Sequence, residues 1–266
     1  MSPLRLELTV PATALQHFEE DIARARAIVA HAGLLPRTNA AERLLRSDLL
    51  RSAWMFAVGS LDAYFCDAYT DLVAATASSK SRQPGITLPE WVYDIKVPIR
   101  AVLEQYDNSN WRWRMAARKM MDRESVINLS TIQALFNKFF RKGRKFFRDL
   151  LDTWISRPDA KKRLFGVSQP AYLKMIDAEK HKARNTTSDQ LEDRFRTIFQ
   201  RRHDCIHNCD RPKMSPQRLD RGGTVLKVIQ DVDYLVHRCD DHINSEFRQF
   251  LLDAGCSKAT IAQAGY

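Results

Sequence analysis

Apolar positions recur every three or four residues through most of this chain, and clear two-residue alternation is absent, so the pattern predicts an all-α fold. A first helix is expected from Thr13 to Ala32, capped by Thr13 and ended by Gly33, with Leu15, Phe18, Ile22 and Val29 on its apolar side. After the turn Leu34–Arg37, Thr38 or Asn39 caps a very long segment that extends to about Ala77. Its centre, Ala53 to Cys66, is apolar almost all the way round, as suits a helix in the middle of a bundle. Asp62 is the one charged residue in that centre. A polar loop over Ser78–Pro89 follows, marked by Pro84-Gly85. Residues 90–184 read as shorter, more basic helices broken at Pro98, Asn108–Asn110, Gly143, Pro158, Gly166 and Pro170. Thr187-Ser188 caps a helix from Asp189 to about Asn208, and Pro212 and Pro216 bound the next loop. Gly222-Gly223-Thr224 precede a last long helix reaching about Leu252, with Val225, Ile229, Val232, Val236, Cys239, Ile243 and Phe247 on its buried side. The tail from Asp253 is expected to form a short helical turn or to fray. The pattern thus predicts one domain over 1–266, with core helices in 13–78 and 188–252 and a helical insertion in 79–187.

Composition narrows the setting. The net charge of +10 and pI near 9.5 favour a polyanionic partner, nucleic acid ahead of a membrane surface. No stretch approaches the ~20 apolar residues of a membrane span. Residues 1–10 lack the basic run and apolar core of a signal peptide. Five cysteines without a disulfide spacing fit a reducing cytoplasm. No Gly-rich phosphate loop or Gly-x-Ser-x-Gly elbow is present, which argues against a nucleotide hydrolase or serine esterase.

The chemistry concentrates in Arg201-Arg202-His203-Asp204-Cys205-Ile206-His207-Asn208-Cys209-Asp210. On a helix Arg202 continues the stripe Leu191, Phe195, Ile198, so its guanidinium is expected to be buried and to require an anion. Asp62 has the same problem with opposite sign, and the two are predicted to approach each other across two core helices. The bland reading is a buried ion pair that fixes register. His207, five positions on, flanks the stripe unless the helix unwinds near Asn208, which Asp210 and Pro212 favour. Spacing alone says little: an arginine-rich chain offers an Arg-x4-His about once by chance, and Arg26 with His31 is one, read as solvated surface. Zinc is disfavoured because the pairs His203/His207 and Cys205/Cys209 lie on different sides of a helix. Two basic stretches also carry aromatics, Trp111–Lys119 and Lys138–Arg148. Arg112, Arg114, Lys142, Arg144 and Lys145, with Arg201, are candidate RNA contacts, and the aromatics either stack on bases or anchor the helices.

Arg202 through His207 resembles the Arg-x4-6-His signature of HEPN domains. The wider likeness is to the HEPN type linked with RiboL-PSP proteins, whose core helix carries a stretch like Ser60–Phe65 and whose motif runs roughly Arg-Arg-Asn-x-Ile-Ala-His before an acidic turn. It covers about 40–78 and 188–250 and is loose between. His203 replaces the usual Asn or Asp, and Cys209 stands where a nucleotidyltransferase-regulated branch has a modifiable Tyr, so adenylylation is not expected there. The resemblance implies a HEPN-like helical bundle acting as a metal-independent endoribonuclease of a toxin or antiviral-defence kind. It further implies a homodimer with a composite site and no cofactor. An antitoxin or regulatory protein is a candidate further partner, and a non-catalytic dimerisation and binding module is the alternative. Histidine titrates near neutral pH, which suits His207 to proton transfer, and Arg202 suits phosphate contact. Asp62, His203 and Asn208 are supporting residues.

Overall fold

Thr13 and Gln16 exchange side-chain and backbone hydrogen bonds in a capping box, and Asn39 and Glu42 do the same, so the first two helices start at caps legible in the sequence. The computed structural model describes residues 13–96, 99, 103, 109–121, 126–141, 145–207, 219 and 221–265, without the side chains of 109–112. Among these the fold is all-α. The helices are α1 (Ala14–Leu34), α2 (Ala40–Arg82), α3 (Glu90–Tyr93), α4 (Ser109–Met121), α5 (Leu129–Phe136), α6 (Leu151–Ile155), α7 (Lys162–Phe165), α8 (Gln169–Leu173), α9 (Asp177–His207), α10 (Gly222–Asp253) and α11 (Lys258–Gln263).

The 43-residue α2 is the axis of the bundle. α1 folds back along it as an antiparallel hairpin: the Phe18 ring meets Tyr64, and Arg46 near the start of α2 donates to the Ala32 carbonyl near the end of α1. α10 lies antiparallel to α1, joined through Arg26–Asp233 (2.9 Å) and His237–Glu19 (3.4 Å). Arg26 is therefore a cross-helix tie rather than merely solvated surface. α9 docks on α2 at Trp54, whose indole N–H donates to the Ile198 carbonyl (3.1 Å).

Several boundaries differ from the sequence pattern. α2 runs to Arg82, because Ser78 and Ser79 are buried and the following turn folds back over the helix end. Gln83 donates to the Gly255 carbonyl and accepts from the Ser257 amide, so residues 83–88 form a clasp onto the cap of α11 instead of a free loop. α9 starts twelve residues before Asp189. Thr187 lies inside it with its hydroxyl donating to the Ala183 and Arg184 carbonyls. α1 continues through Gly33 to Leu34, and the tail forms α11 under a Ser257 cap.

Both α2 and α9 therefore cross the expected limits of the insertion, and the insertion shares the core. Phe136, Phe139, Phe146, Trp154, Phe165 and Tyr172 are all fully buried. Phe136 packs edge-on to Phe65 and Tyr69 of α2, and Phe139 against Phe247 of α10. Each such ring adds roughly 2–3 kcal/mol of burial free energy to the bundle. The four phenylalanines of the second basic stretch are anchors, not a stacking platform.

Candidate functional site

The site gathers where the last turns of α9 meet α2 and the segment before α5. The Trp54–Ile198 bond draws α2 onto the carbonyl that, in α-helical geometry, also accepts from the amide of residue 202. Two turns further along α2, Asp62 accepts from the Val126 amide (2.9 Å). Burial raises the Asp62 carboxyl above the ordinary range, opposed by the Val126 bond and by the positive charge of Arg202. Asp62 and Arg202 are thus electrostatic neighbours, as the sequence suggested. The direct hydrogen-bond partner of Asp62 is nevertheless a backbone amide of the insertion, which no side-chain pattern announces.

That bond places a wall. Ile127, Asn128 and Leu129 stand opposite Glu192, Arg196, Phe199, Gln200, Arg202 and His203 of α9, enclosing a pocket of about 400 Å³. Arg202 was expected to be buried. It is half-buried, because the stripe at that level faces this pocket rather than packed side chains. Arg201 is the buried one, at 9% exposure, which removes it from the surface RNA would meet. α9 stays helical to His207, so the expected unwinding does not begin before that residue. His207 is exposed, and its ring packs against His203 with centroids 4.3 Å apart. The site thus has Arg202 and His203 lining the pocket, His207 packed on His203, and Asp62 close enough to feel the charge of Arg202. Asn208, Lys142 and Arg144 and the side chain of Arg112 lie outside the described residues. Lys145 is exposed, while the Arg114 guanidinium is committed to Asp71 (2.8 Å) and pins α4 to α2.

A second charged cluster was missed. Asp231 of α10 is fully buried and accepts from Arg163 of α7 (2.7 Å) and Arg194 of α9 (2.8 Å). Burial raises its carboxyl pKa, and the two guanidinium groups oppose the rise. The signal was present: Asp231 stands three residues after Val228 and four before Leu235, and Arg194 three after Leu191 and four before Ile198. The triad fixes α9 against α10 and the insertion, and so holds the site's main helix.

Comparison with family models, curated proteins and solved structures finds no match to this chain.

A cavity of about 800 Å³ lies elsewhere, between the start of α1, the second half of α2, α4 and α10. Asp71 lines it with a carboxyl pushed up to about 6 by burial, against the pull of Arg114. No helix of the described residues is long and apolar enough to cross a membrane, and no described group of His, Cys, Asp and Glu is arranged to hold a metal.

Proposed function

We propose that this protein is a metal-independent endoribonuclease of the HEPN kind, acting through Arg202, His203 and His207. The observation that carries the reading is a half-buried guanidinium and an imidazole, Arg202 and His203, lining one pocket of a strongly basic protein, with the His207 ring packed against His203. RNA supplies its own nucleophile. One imidazole takes the proton of a ribose 2′-hydroxyl as the 2′-oxygen bonds to phosphorus. The bond from phosphorus to the 5′-oxygen then breaks, and that oxygen takes a proton from the other imidazole in its protonated form. The products are a 2′,3′-cyclic phosphate and a 5′-hydroxyl. Arg202 contacts the non-bridging oxygens, where charge accumulates. Asp62 holds the facing wall through Val126 and offers Arg202 a counter-charge. A homodimer joining two such edges belongs to this reading, with Ile206, 44% exposed beside the motif, as an apolar contact.

A second reading is favoured by one feature: among the described residues no carboxylate hydrogen-bonds His203 or His207, and a binding module needs none. Incubation of single-stranded RNA in EDTA with wild type and His207→Ala separates the two. The enzyme reading expects cyclic-phosphate ends that the variant does not produce. RNA bound but uncut by wild type supports the module.

A further inference from the structure

Glu192 is out of place in a groove that is otherwise suited to phosphates. It lies on α9 one turn before Arg196 and lines the same pocket as Arg202 and His203. Arg196, its natural i,i+4 partner, pairs instead with Asp193 (2.5 Å). Glu192 therefore has no ion pair among the described residues. A carboxylate facing an RNA backbone weakens binding, so its presence calls for a ligand group that donates hydrogen bonds.

The rest of the pocket indicates which group. Its apolar surface is Ile127, Leu129 and Phe199, side chains that can pack against an aromatic ring, and its volume of about 400 Å³ falls in the small-ligand range of roughly 300–1,000 Å³. Asn128, which lines the pocket, uses its side-chain oxygen to accept from the amide (2.9 Å) and hydroxyl (2.8 Å) of Ser130, which leaves its amino group as a donor. Gln200 gives its amino group to Asp204 (2.9 Å), which leaves its oxygen as an acceptor. The lining thus offers two acceptors on one carboxylate and, on Asn128, a donor.

We infer that this pocket binds an unstacked guanine of single-stranded RNA, with Glu192 as the residue that reads it. Guanine presents adjacent N1–H and N2–H donors that match the two carboxylate oxygens, and a carbonyl that suits Asn128. Adenine and cytosine place a ring acceptor beside their single amino group, and uracil sets one N–H between two carbonyls. Each of those would face the carboxylate with a lone pair. Single-stranded bases expose this edge, as duplex bases do not. Eleven residues separate Glu192 from His203, about 16 Å along the helix, so the guanine belongs to a nucleotide near the reacting phosphate rather than at it. The inference rests on the RNA reading of the site but not on catalysis.

The test is fluorescence anisotropy with 2′-O-methyl 11-mers, which have no free 2′-hydroxyl to attack. Four are uridine runs carrying one central guanosine, inosine, adenosine or cytidine, a fifth is the pure uridine run, and each is titrated with wild type and with Glu192→Gln. Wild type should bind the guanosine oligomer at least about fivefold more tightly than the adenosine or cytidine one, as a good bidentate contact provides. Inosine, which lacks the 2-amino group, should lose most of that margin. Glu192→Gln, an exposed and near-isosteric change, should erase the preference while binding the pure uridine run at least as well. Equal wild-type binding of the four substituted oligomers, or a preference that survives in Glu192→Gln, overturns the guanine assignment alone. No binding of any oligomer overturns the RNA reading together with it.

Discussion

Replacing Asp231 by Ala is the most searching perturbation of the scaffold. The carboxylate is fully buried, and its removal leaves Arg163 and Arg194 facing each other across the space it occupied. Breaking a buried charge network from one side costs about 3–5 kcal/mol when the remaining charge cannot reach water. Here the arginine side chains keep 30% and 23% of their exposure and can turn outward, so the lower end, about 3 kcal/mol, applies. For a chain of 266 residues the unfolding entropy is about 0.56 kcal/mol/K, so the midpoint should fall by roughly 5 °C. Asp231→Asn keeps one acceptor and should lose about half as much. Thermal melts followed by far-UV circular dichroism, with urea titrations to obtain the free energy, measure both. A loss under about 1 kcal/mol for Asp231→Ala would mean that the triad does not hold α9 to α10, and the account of how the site is positioned would fail.

Other outcomes follow from the same contacts. Asp62→Ala frees the Val126 amide and the pocket wall, and should cost about 1–2 kcal/mol and reduce RNA cleavage roughly ten- to a hundredfold. Asp62→Asn should keep the stability, and unchanged activity in both variants would remove Asp62 from the site. Asp71 has a folded value near 6 against an ordinary 3.8, so the native state holds its proton more tightly. The stability this provides is complete below about pH 4 and is lost as pH rises through 6, by up to about 3 kcal/mol. Melting midpoints from pH 4 to 7.5 should therefore show Asp71→Asn gaining on wild type as pH rises, and parallel profiles would contradict the assignment.

The fold was legible where apolar periodicity was strong. The caps at Thr13 and Asn39, the central position of α2 and the buried stripe of α10 all follow from residue spacing. It was less legible where helices are polar: residues 177–188 contain only alanines to mark a buried side, so the first third of α9 reads as the end of a broken helical stretch and a cap at Thr187-Ser188. The serines at 78 and 79 misled for the opposite reason, being small enough to be buried against a turn that the sequence does not connect to them. At the site, the electrostatic link between Asp62 and Arg202 was visible as two charges on apolar stripes. The exchange of burial between Arg201 and Arg202 was not, because it depends on a pocket built by Val126–Leu129 from a distant part of the chain. Glu192 was passed over because a single exposed acid on a helix has no pattern until its partners are known.

The measurement that bears most directly on the proposed function is the cleavage of end-labelled single-stranded RNA in EDTA by wild type, His207→Ala and Arg202→Ala, with the new ends analysed. Wild type should give metal-independent products with 2′,3′-cyclic phosphates, and each variant should lose about a hundredfold or more. RNA left intact by wild type, or cut equally well by His207→Ala, would contradict the proposed function.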